Sequence, residues 1–159
     1  MSNDFLQVTW DDALVADCRA LIDLAIAEDG GLEGDVTTRA LGLPGKSATV
    51  HVAGREAGVA AGLKTIELVF EQIGAAGVEI TTAKGDGERF SPGARLAQLR
   101  GDAGAIHLAE RTLLNLLGRL SGIATLAAQY AEAAAVAGAT IYDTRKTTPG
   151  WRRLEKYAV

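Results

Sequence analysis

The sequence predicts an α+β domain, with a mixed or antiparallel sheet and helices, followed by one β-loop-α unit. Short segments of alternating apolar residues occur between residues 47 and 99, with connections too short for βαβ crossovers. A long stretch rich in leucine and alanine follows, and then a short apolar run enters a loop crowded with cations. Because α/β proteins place ligands where a strand ends in a loop, this last unit is the candidate site.

An amphipathic helix is predicted over residues 10–27, where apolar side chains recur at spacings of three and four. Thr9 and Asp12 have the spacing of a capping box at its start. Cys18 lies on the apolar face of this helix, where we expect it to pack in the core. Because the chain has one cysteine, an internal disulfide is excluded and a reducing cytoplasm is favoured.

Alternation over residues 47–60 predicts a half-buried strand with His51 on its polar side. Three further elements are predicted after it: a second amphipathic helix at 63–73 and short strands at 78–80 and 95–99. Turns or close backbone approach are expected at three glycines, Gly54, Gly58 and Gly62.

Residues 103–137 are predicted to form a long helix that ends at Gly138, and an interruption is considered at Ser121-Gly122. Its core stripe consists of leucines: Leu113, Leu116, Leu117 and Leu120. Another face carries Arg111, Asn115, Gly118 and Gly122. Glycine in a helix interior lowers stability by about 1 kcal/mol relative to alanine, which argues against a purely solvent-facing role for the two glycines. We therefore expect this face to allow a ligand or partner to come close. The domain boundary is placed between residues 112 and 113.

Residues 139–142 are predicted to form a buried strand that leads into the basic loop. Residues 143–157 hold five cations against two carboxylates, a net charge of +3, in a chain whose net charge is −4. An acidic chain with one compact basic loop suits a small anion better than nucleic acid, which needs an extended basic surface. Arg145 offers a planar fork to a carboxylate or phosphate, Lys146 a mobile charge, and Thr144 a hydroxyl. The alternative is a solvated basic face at the start of a helix over 151–157.

Other chemistries find little support in the sequence. There is no Walker or dinucleotide fingerprint and no zinc spacing, and His51 and His107 lie far from Cys18 in the sequence. The acidic loop that contains Glu28, Asp29, Glu33 and Asp35 lacks the spacing of a calcium loop, so no metal site is predicted. No apolar run approaches the roughly 18 residues of a membrane span, and residues 1–4 do not begin a secretory signal.

The ordered motifs together resemble the quinolinate phosphoribosyltransferases, also called nicotinate-nucleotide pyrophosphorylases (carboxylating). The resemblance extends from about Leu21 onward and rests on six pieces: Ala27-Glu28-Asp29 with Gly31, Gly34-Asp35 and Thr37-Thr38; Gly58 with Ala61-Gly62; Gly85-Asp86-Gly87; Glu110-Arg111-Thr112 with Leu114-Asn115; Ser121–Thr125; and Asp143–Val159. It implies that the α+β domain is followed by the first β-loop-α piece of an incomplete α/β barrel.

The resemblance also implies an activity and a site. Family enzymes condense quinolinate with phosphoribosyl pyrophosphate, with Mg²⁺, to give nicotinate mononucleotide, pyrophosphate and CO₂ in de novo NAD synthesis. The matches to Thr144, Arg145 and Lys146 line the site; the arginines take the carboxylates, and Lys146, the candidate catalytic residue, lies nearer the phosphoribosyl group. Arg111 is implied to reach the neighbouring site of a homodimer. The Mg²⁺ ligands are expected outside this chain.

The family pattern continues beyond the match to Val159, so we expect the chain to be the N-terminal portion of such an enzyme. By itself it should be inactive, expose apolar surface from residue 113 onward and self-associate. Two alternatives stay open. One is a paralogous phosphoribosyltransferase-like enzyme that uses another base. The other is a non-catalytic dimerisation or carrier module, because residues 78–101 resemble a lipoyl or biotinyl carrier hairpin with Lys84 in place of the modified lysine.

Overall fold

The computed structural model describes residues 7–31, 36–75 and 77–159, and it confirms the α+β class. Its elements are, in chain order, α1 (Asp12–Glu28), α2 (Val36–Ala40), β1 (Ser47–Ala53), β2 (Gly58–Val59), α3 (Thr65–Gln72), β3 (Glu79–Thr82), β4 (Arg89–Phe90), β5 (Arg95–Asp102), α4 (Ala103–Val136) and α5 (Arg152–Ala158). Within these ranges, no helix is long and apolar enough to cross a membrane.

The first helix, α1, is capped by Asp11, whose carboxylate accepts a hydrogen bond from the Leu14 backbone N–H at 2.8 Å. The predicted cap at Thr9 is therefore wrong by two positions. Cys18 is fully buried, as its place on the apolar face indicated. Burial raises the pKa of the Cys18 thiol to about 11, so the thiol stays protonated and packs as a small apolar side chain.

The predicted antiparallel sheet is present, with strand order β1-β5-β3. Val52 of β1 is buried opposite Ala97, whereas His51 is exposed and its Nε2 lies 3.0 Å from Gln98 Oε1. The alternation in β1 therefore places apolar and polar side chains as predicted. Strands β2 and β4 form a separate antiparallel pair.

The long helix α4 runs without a break through Ser121 and Gly122, so the interruption considered there does not occur. Ser121 is accommodated because its hydroxyl accepts a hydrogen bond from the Ala61 backbone N–H at 3.1 Å and lies 3.3 Å from the Ala61 carbonyl. Gly138, with φ 66°, ends the helix as predicted: the Ala139 N–H bonds back to the Ala134 carbonyl at 3.0 Å.

The segment 59–63 is held to the rest of the molecule by side chains. Its alternate backbone N–H groups, those of Val59, Ala61 and Leu63, donate respectively to Thr125 Oγ1, Ser121 Oγ and Asp86 Oδ1, at 2.9, 3.1 and 2.9 Å. Asp86 also accepts a hydrogen bond from the Tyr157 hydroxyl at 2.6 Å. Burial and this carboxylate together raise the pKa of Tyr157. The segment therefore joins α4, the turn between β3 and β4, and α5.

The close approaches predicted at Gly54, Gly58 and Gly62 all occur, that of Gly54 being to the Phe90 ring, and the other two lie in or beside this segment. A Cβ on Gly58 would lie 2.8 Å from Thr125 Oγ1. A Cβ on Gly62 would lie 2.4 Å from Leu120 Cδ1, and Gly62 also has φ +84°. Gly62 is therefore required both by the backbone conformation and by the packing.

A single hydrophobic core connects the sheet, α1, α3, α4 and α5. All four leucines of the predicted α4 stripe are buried in it, and Leu154 of α5 is fully buried there too. Outside the core, the expected exposure of apolar side chains after residue 113 is confirmed: Leu114, Leu126, Tyr130, Val136, Ile141, Tyr142 and Val159 are exposed.

The strand predicted at 139–142 is wrong, because these residues carry no regular secondary structure. Ile141 is 43% exposed and Tyr142 is 58% exposed. A strand needs a hydrogen-bonded neighbour, and none of the strands in the described ranges pairs with this run. The helix predicted at 151–157 is confirmed as α5, and Trp151 at its start is partly buried against the core.

Candidate anion-binding site

The basic loop of residues 143–148 connects the end of α4 to α5 and borders a cavity of about 620 Å³. Thr144 and Lys146 line this cavity together with Gly118 and Gly122 of α4. Arg145 is exposed and does not line it. Apart from the neighbouring residues and backbone of α4 itself, no atom of the described residues lies within 4 Å of a Cβ added at Gly118 or Gly122, so this part of the helix face is open.

The two ends of the loop are anchored by ion-paired side chains. Asp143 pairs with Lys156, and the side chains are only 14% and 16% exposed. At the other end, the Thr148 N–H donates to the Glu155 carboxylate at 3.2 Å, and Arg119 donates to Thr148 Oγ1 at 2.5 Å. The loop is therefore tied to α5 at both ends.

Glu155 is the central group of this anchor. Its side chain is 13% exposed and pairs with the Arg119 guanidinium, which also lies 5.0 Å from the centre of the Trp151 ring. Burial acts to raise the pKa of Glu155, but hydrogen bonds from Arg119 and Thr148 outweigh burial and hold the pKa below its ordinary 4.5. Glu155 is therefore ionised at neutral pH.

The centre of the loop carries the charge that the anchors leave unbalanced. Within the described part of the chain, Arg145 and Lys146 form no ion pair, whereas Arg153 pairs with Asp17 at 3.0 Å. The Thr144 hydroxyl accepts a hydrogen bond from the Lys146 backbone N–H at 3.1 Å, which shapes the loop locally. Two exposed, uncompensated cations on an anchored loop can attract and orient a small anion.

Arg111 lies elsewhere on α4. Its guanidinium donates to Asp29 at 2.5 Å, and its side chain is 73% exposed. It lines a second cavity, of about 470 Å³, together with His107 and Asn115. The structure thus brings Thr144 and Lys146 to one cavity and places Arg111 at another.

Sequence reasoning missed Arg119 and Glu155 as parts of the site. A signal was present for Arg119: it is a charged residue between Leu117 and Leu120 of the core stripe. Glu155 similarly follows the fully buried Leu154. Charged residues flanked by core positions indicate buried polar contacts, but their partners cannot be found from local spacing.

No metal centre emerges from the described residues. Over these ranges, no group of three or more His, Cys, Asp or Glu side chains is placed to hold a metal ion. Glu33 and Asp35 of the acidic loop lie outside the described residues, as does the start of the chain at residues 1–4.

Comparison with known families gives two adjacent matches. Residues 35–121, more than half of the chain, match the N-terminal domain of quinolinate phosphoribosyl transferase. Residues 123–159 match the C-terminal domain of the same family. The basic loop belongs to the second match.

Individual relatives agree with these matches. The chain is 37% identical over 143 residues to quinolinate phosphoribosyltransferase [decarboxylating] 1b of Nicotiana tabacum, covering 90% of this chain and 40% of that protein. It is 38% identical over 152 residues to nicotinate-nucleotide pyrophosphorylase [carboxylating] of Mycobacterium leprae, covering 92% of this chain and 54% of that protein. The chain thus spans about half the length of these relatives.

Solved structures show the same fold. The nicotinate-nucleotide pyrophosphorylase of Francisella tularensis superposes with a TM-score of 0.87 at 29% identity, over 96% of this chain and 52% of that one. The protein of the same name from Ehrlichia chaffeensis superposes with a TM-score of 0.79 at 32% identity, over 87% of this chain and 50% of that one. The two adjacent matches and the shared fold place the chain in the class of phosphoribosyl transferases that have an N-terminal and a C-terminal domain. The chain belongs to the quinolinate phosphoribosyltransferase family.

Proposed function

We propose that this chain takes part in the transfer of a phosphoribosyl group from phosphoribosyl pyrophosphate to quinolinate, with decarboxylation. In this reaction the pyridine nitrogen bonds to the ribose C1 as pyrophosphate leaves. The 2-carboxylate then departs as CO₂, and a proton replaces it to give nicotinate mononucleotide. The observation that carries the proposal is that two cations, Arg145 and Lys146, lie on an anchored loop without an ion-pair partner among the described residues, in a chain of this family.

The loop residues are assigned roles by their chemistry. Arg145 binds a quinolinate carboxylate, because a guanidinium matches a carboxylate in two parallel hydrogen bonds. Lys146 lies toward the phosphoribosyl group and stabilises charge that develops at the reacting atoms, and Thr144 contributes a hydroxyl. A dicarboxylate and a pyrophosphate are both strongly anionic. A site whose cations have no carboxylate partner therefore favours the binding of both.

Arg111 is proposed to act in a second copy of the chain. Its guanidinium is exposed and lines a different cavity from Lys146. A homodimer in which Arg111 of one protomer approaches the loop of its partner would bring the two together. The homodimer remains a prediction. The cytoplasmic location is also a prediction, since the names of plant relatives place those proteins in chloroplasts or mitochondria.

Mg²⁺ is proposed to enter with phosphoribosyl pyrophosphate. The described residues supply no cluster of three or more His, Cys, Asp or Glu side chains for it, so none of them is proposed as a metal ligand. We propose no carrier function, because the family match includes the turn that holds Lys84, and Lys84 pairs with Glu88 at 3.2 Å.

The proposal is tested by titrating the purified chain with quinolinate in a calorimeter. We expect Arg145→Ala to weaken binding at least tenfold, a loss of about 1.4 kcal/mol, because it removes a charge-assisted hydrogen bond. Arg153→Ala is the matched control, since Arg153 pairs with Asp17 outside the loop. Nicotinate, with one carboxylate fewer, should bind more weakly than quinolinate.

The same samples are then assayed for pyrophosphate release with quinolinate, phosphoribosyl pyrophosphate and Mg²⁺. We expect binding without release, because the chain spans about half of its relatives. Release that is lost in Arg145→Ala would confirm the reaction and show that our expectation of inactivity is wrong. Equal quinolinate affinity in wild type and Arg145→Ala would contradict the proposed role of the loop.

A further inference from the structure

The loop of residues 143–148 is held by two consecutive residues of one helix. Lys156 reaches its first residue, Asp143, and Glu155 reaches its last, Thr148. Successive side chains on an α-helix point about 100° apart, so neighbours on α5 can contact opposite ends of a short loop. The loop and α5 therefore form a closed unit.

Three side chains of the anchor are less exposed than the cations that the loop presents. The side chains of Asp143, Lys156 and Glu155 are 14%, 16% and 13% exposed. By contrast, Arg145 and Lys146 are exposed. Arg119 of α4 pairs with Glu155 as well, so the anchor is also fixed to the long helix. The charges of the anchor pair with one another, and the cations of Arg145 and Lys146 remain available to a ligand.

We propose that Glu155 and Lys156 are positioning residues that clamp both ends of the loop and hold Arg145 and Lys146 ready for the anion. Holding the cations in place before binding removes the cost of ordering a flexible loop around the ligand. The inference rests on the proposed function for the identity of the anion. The clamp itself is a property of the free chain and is tested separately.

The clamp is tested by hydrogen exchange of the loop amides in the free chain. The Thr148 N–H is bonded to Glu155, and the Lys146 N–H to Thr144. We expect Glu155→Gln and Lys156→Met to speed exchange at these two amides at least tenfold while the amides of α4 keep their protection. Lys156→Arg should restore slow exchange, because it restores the charge. Arg153→Met, on the same helix but paired with Asp17, should change neither amide.

Lys156→Met leaves the partly buried Asp143 carboxylate without its partner, which endangers folding. The double variant Asp143→Asn, Lys156→Met removes both charges and provides a second test. It should fold, release the first end of the loop and show faster exchange at Lys146. Slow exchange at both amides in folded Glu155→Gln and in the folded double variant would overturn the clamp.

Quinolinate titration of the same variants shows whether the clamp serves binding. We expect the Kd to rise about tenfold in Glu155→Gln and Lys156→Met and to recover in Lys156→Arg. A rise in Arg153→Met equal to that in Lys156→Met would reflect the loss of one positive charge alone and would overturn the positioning role of Lys156, and an unchanged Kd in Glu155→Gln would overturn that of Glu155. If exchange responds as expected but the wild-type chain does not bind quinolinate, the clamp stands and the proposed function fails.

Discussion

Individual glycines show how far one residue constrains this fold. Gly62 combines φ +84° with a packed environment, since a Cβ there would lie 2.4 Å from Leu120 Cδ1. Gly74 has φ +71° with nothing within 4 Å of an added Cβ. The pair therefore separates the cost of backbone conformation from the cost of a steric clash.

We expect Gly62→Ala to lower the free energy of unfolding by about 2–4 kcal/mol, because conformational strain and overpacking add. Gly74→Ala, with strain alone, should cost about 1 kcal/mol. Urea denaturation of both variants measures the difference. Equal losses would show that Leu120 moves aside without cost.

Gly118 gives the opposite expectation. It lies inside α4, where an added Cβ meets no atom of the described residues within 4 Å other than those of the helix around it. Gly118→Ala should therefore raise the free energy of unfolding by about 0.5–1 kcal/mol, from helix propensity alone. If the cavity beside the loop binds quinolinate, the same change should weaken binding, and calorimetry with thermal unfolding measures both. Greater stability with unchanged affinity would show that this glycine does not serve the ligand.

Predictability from sequence also depends on the residue. Asp11 and Thr9 are both good N-caps, and local pattern favoured the wrong one because the apolar stripe does not define the first turn. The predictions that Cys18 is buried and that His51 faces solvent were correct. Each follows from a periodicity along one element, 3.6 for the helix that holds Cys18 and two for the strand that holds His51. The Arg119–Glu155 pair joins residues of two different helices, and no local pattern contains that information.

The same distinction holds for whole elements. Helix α4 and the sheet were predictable because their patterns are long or repeated. The strand at 139–142 was not, because a strand exists only beside a neighbour. The apolar composition of this run predicts side chains that would be buried if the run were part of a sheet. In this structure, however, Tyr142 is 58% exposed. The loop that follows was correctly identified as basic, but its anchoring to α5 was not anticipated.

The junction of α4 and α5 should be sensitive to acid. The pKa of Glu155 is held below 4.5, so its carboxylate stabilises the fold above that pH. This contribution is lost as the pH falls from about 4.5 through the lowered pKa. We therefore expect Glu155→Gln to be less stable than wild type at pH 7, and the gap to shrink below pH 4.5. Thermal unfolding from pH 3 to 7 measures it, and a constant gap would contradict the assignment.

For the molecule as a whole, exposed apolar side chains are concentrated after residue 113. Leu126, Tyr130 and Tyr142 all line the cavity beside the loop and are 53%, 59% and 58% exposed. Contiguous apolar surface of this kind favours association. The domain boundary predicted between residues 112 and 113 lies inside α4, which is continuous from Ala103 to Val136. It remains a prediction.

We expect the chain to self-associate through this apolar surface. Sedimentation velocity over a range of concentrations should show larger species that decrease in Leu126→Glu. Leu24→Glu is the control, because Leu24 is 59% exposed on α1 and does not line the cavity. A monodisperse monomer that unfolds cooperatively would contradict the prediction.

The segment 59–63 has one more consequence, for aggregation. An unpaired strand edge offers a row of N–H groups on which a foreign strand can add. Here the N–H groups of Val59, Ala61 and Leu63 are already taken by side-chain oxygens. An incoming strand would have to displace hydroxyls and a carboxylate that hold the molecule together. The contacts that join α4 and Asp86 to this segment therefore also leave its three N–H groups unavailable for intermolecular β-pairing.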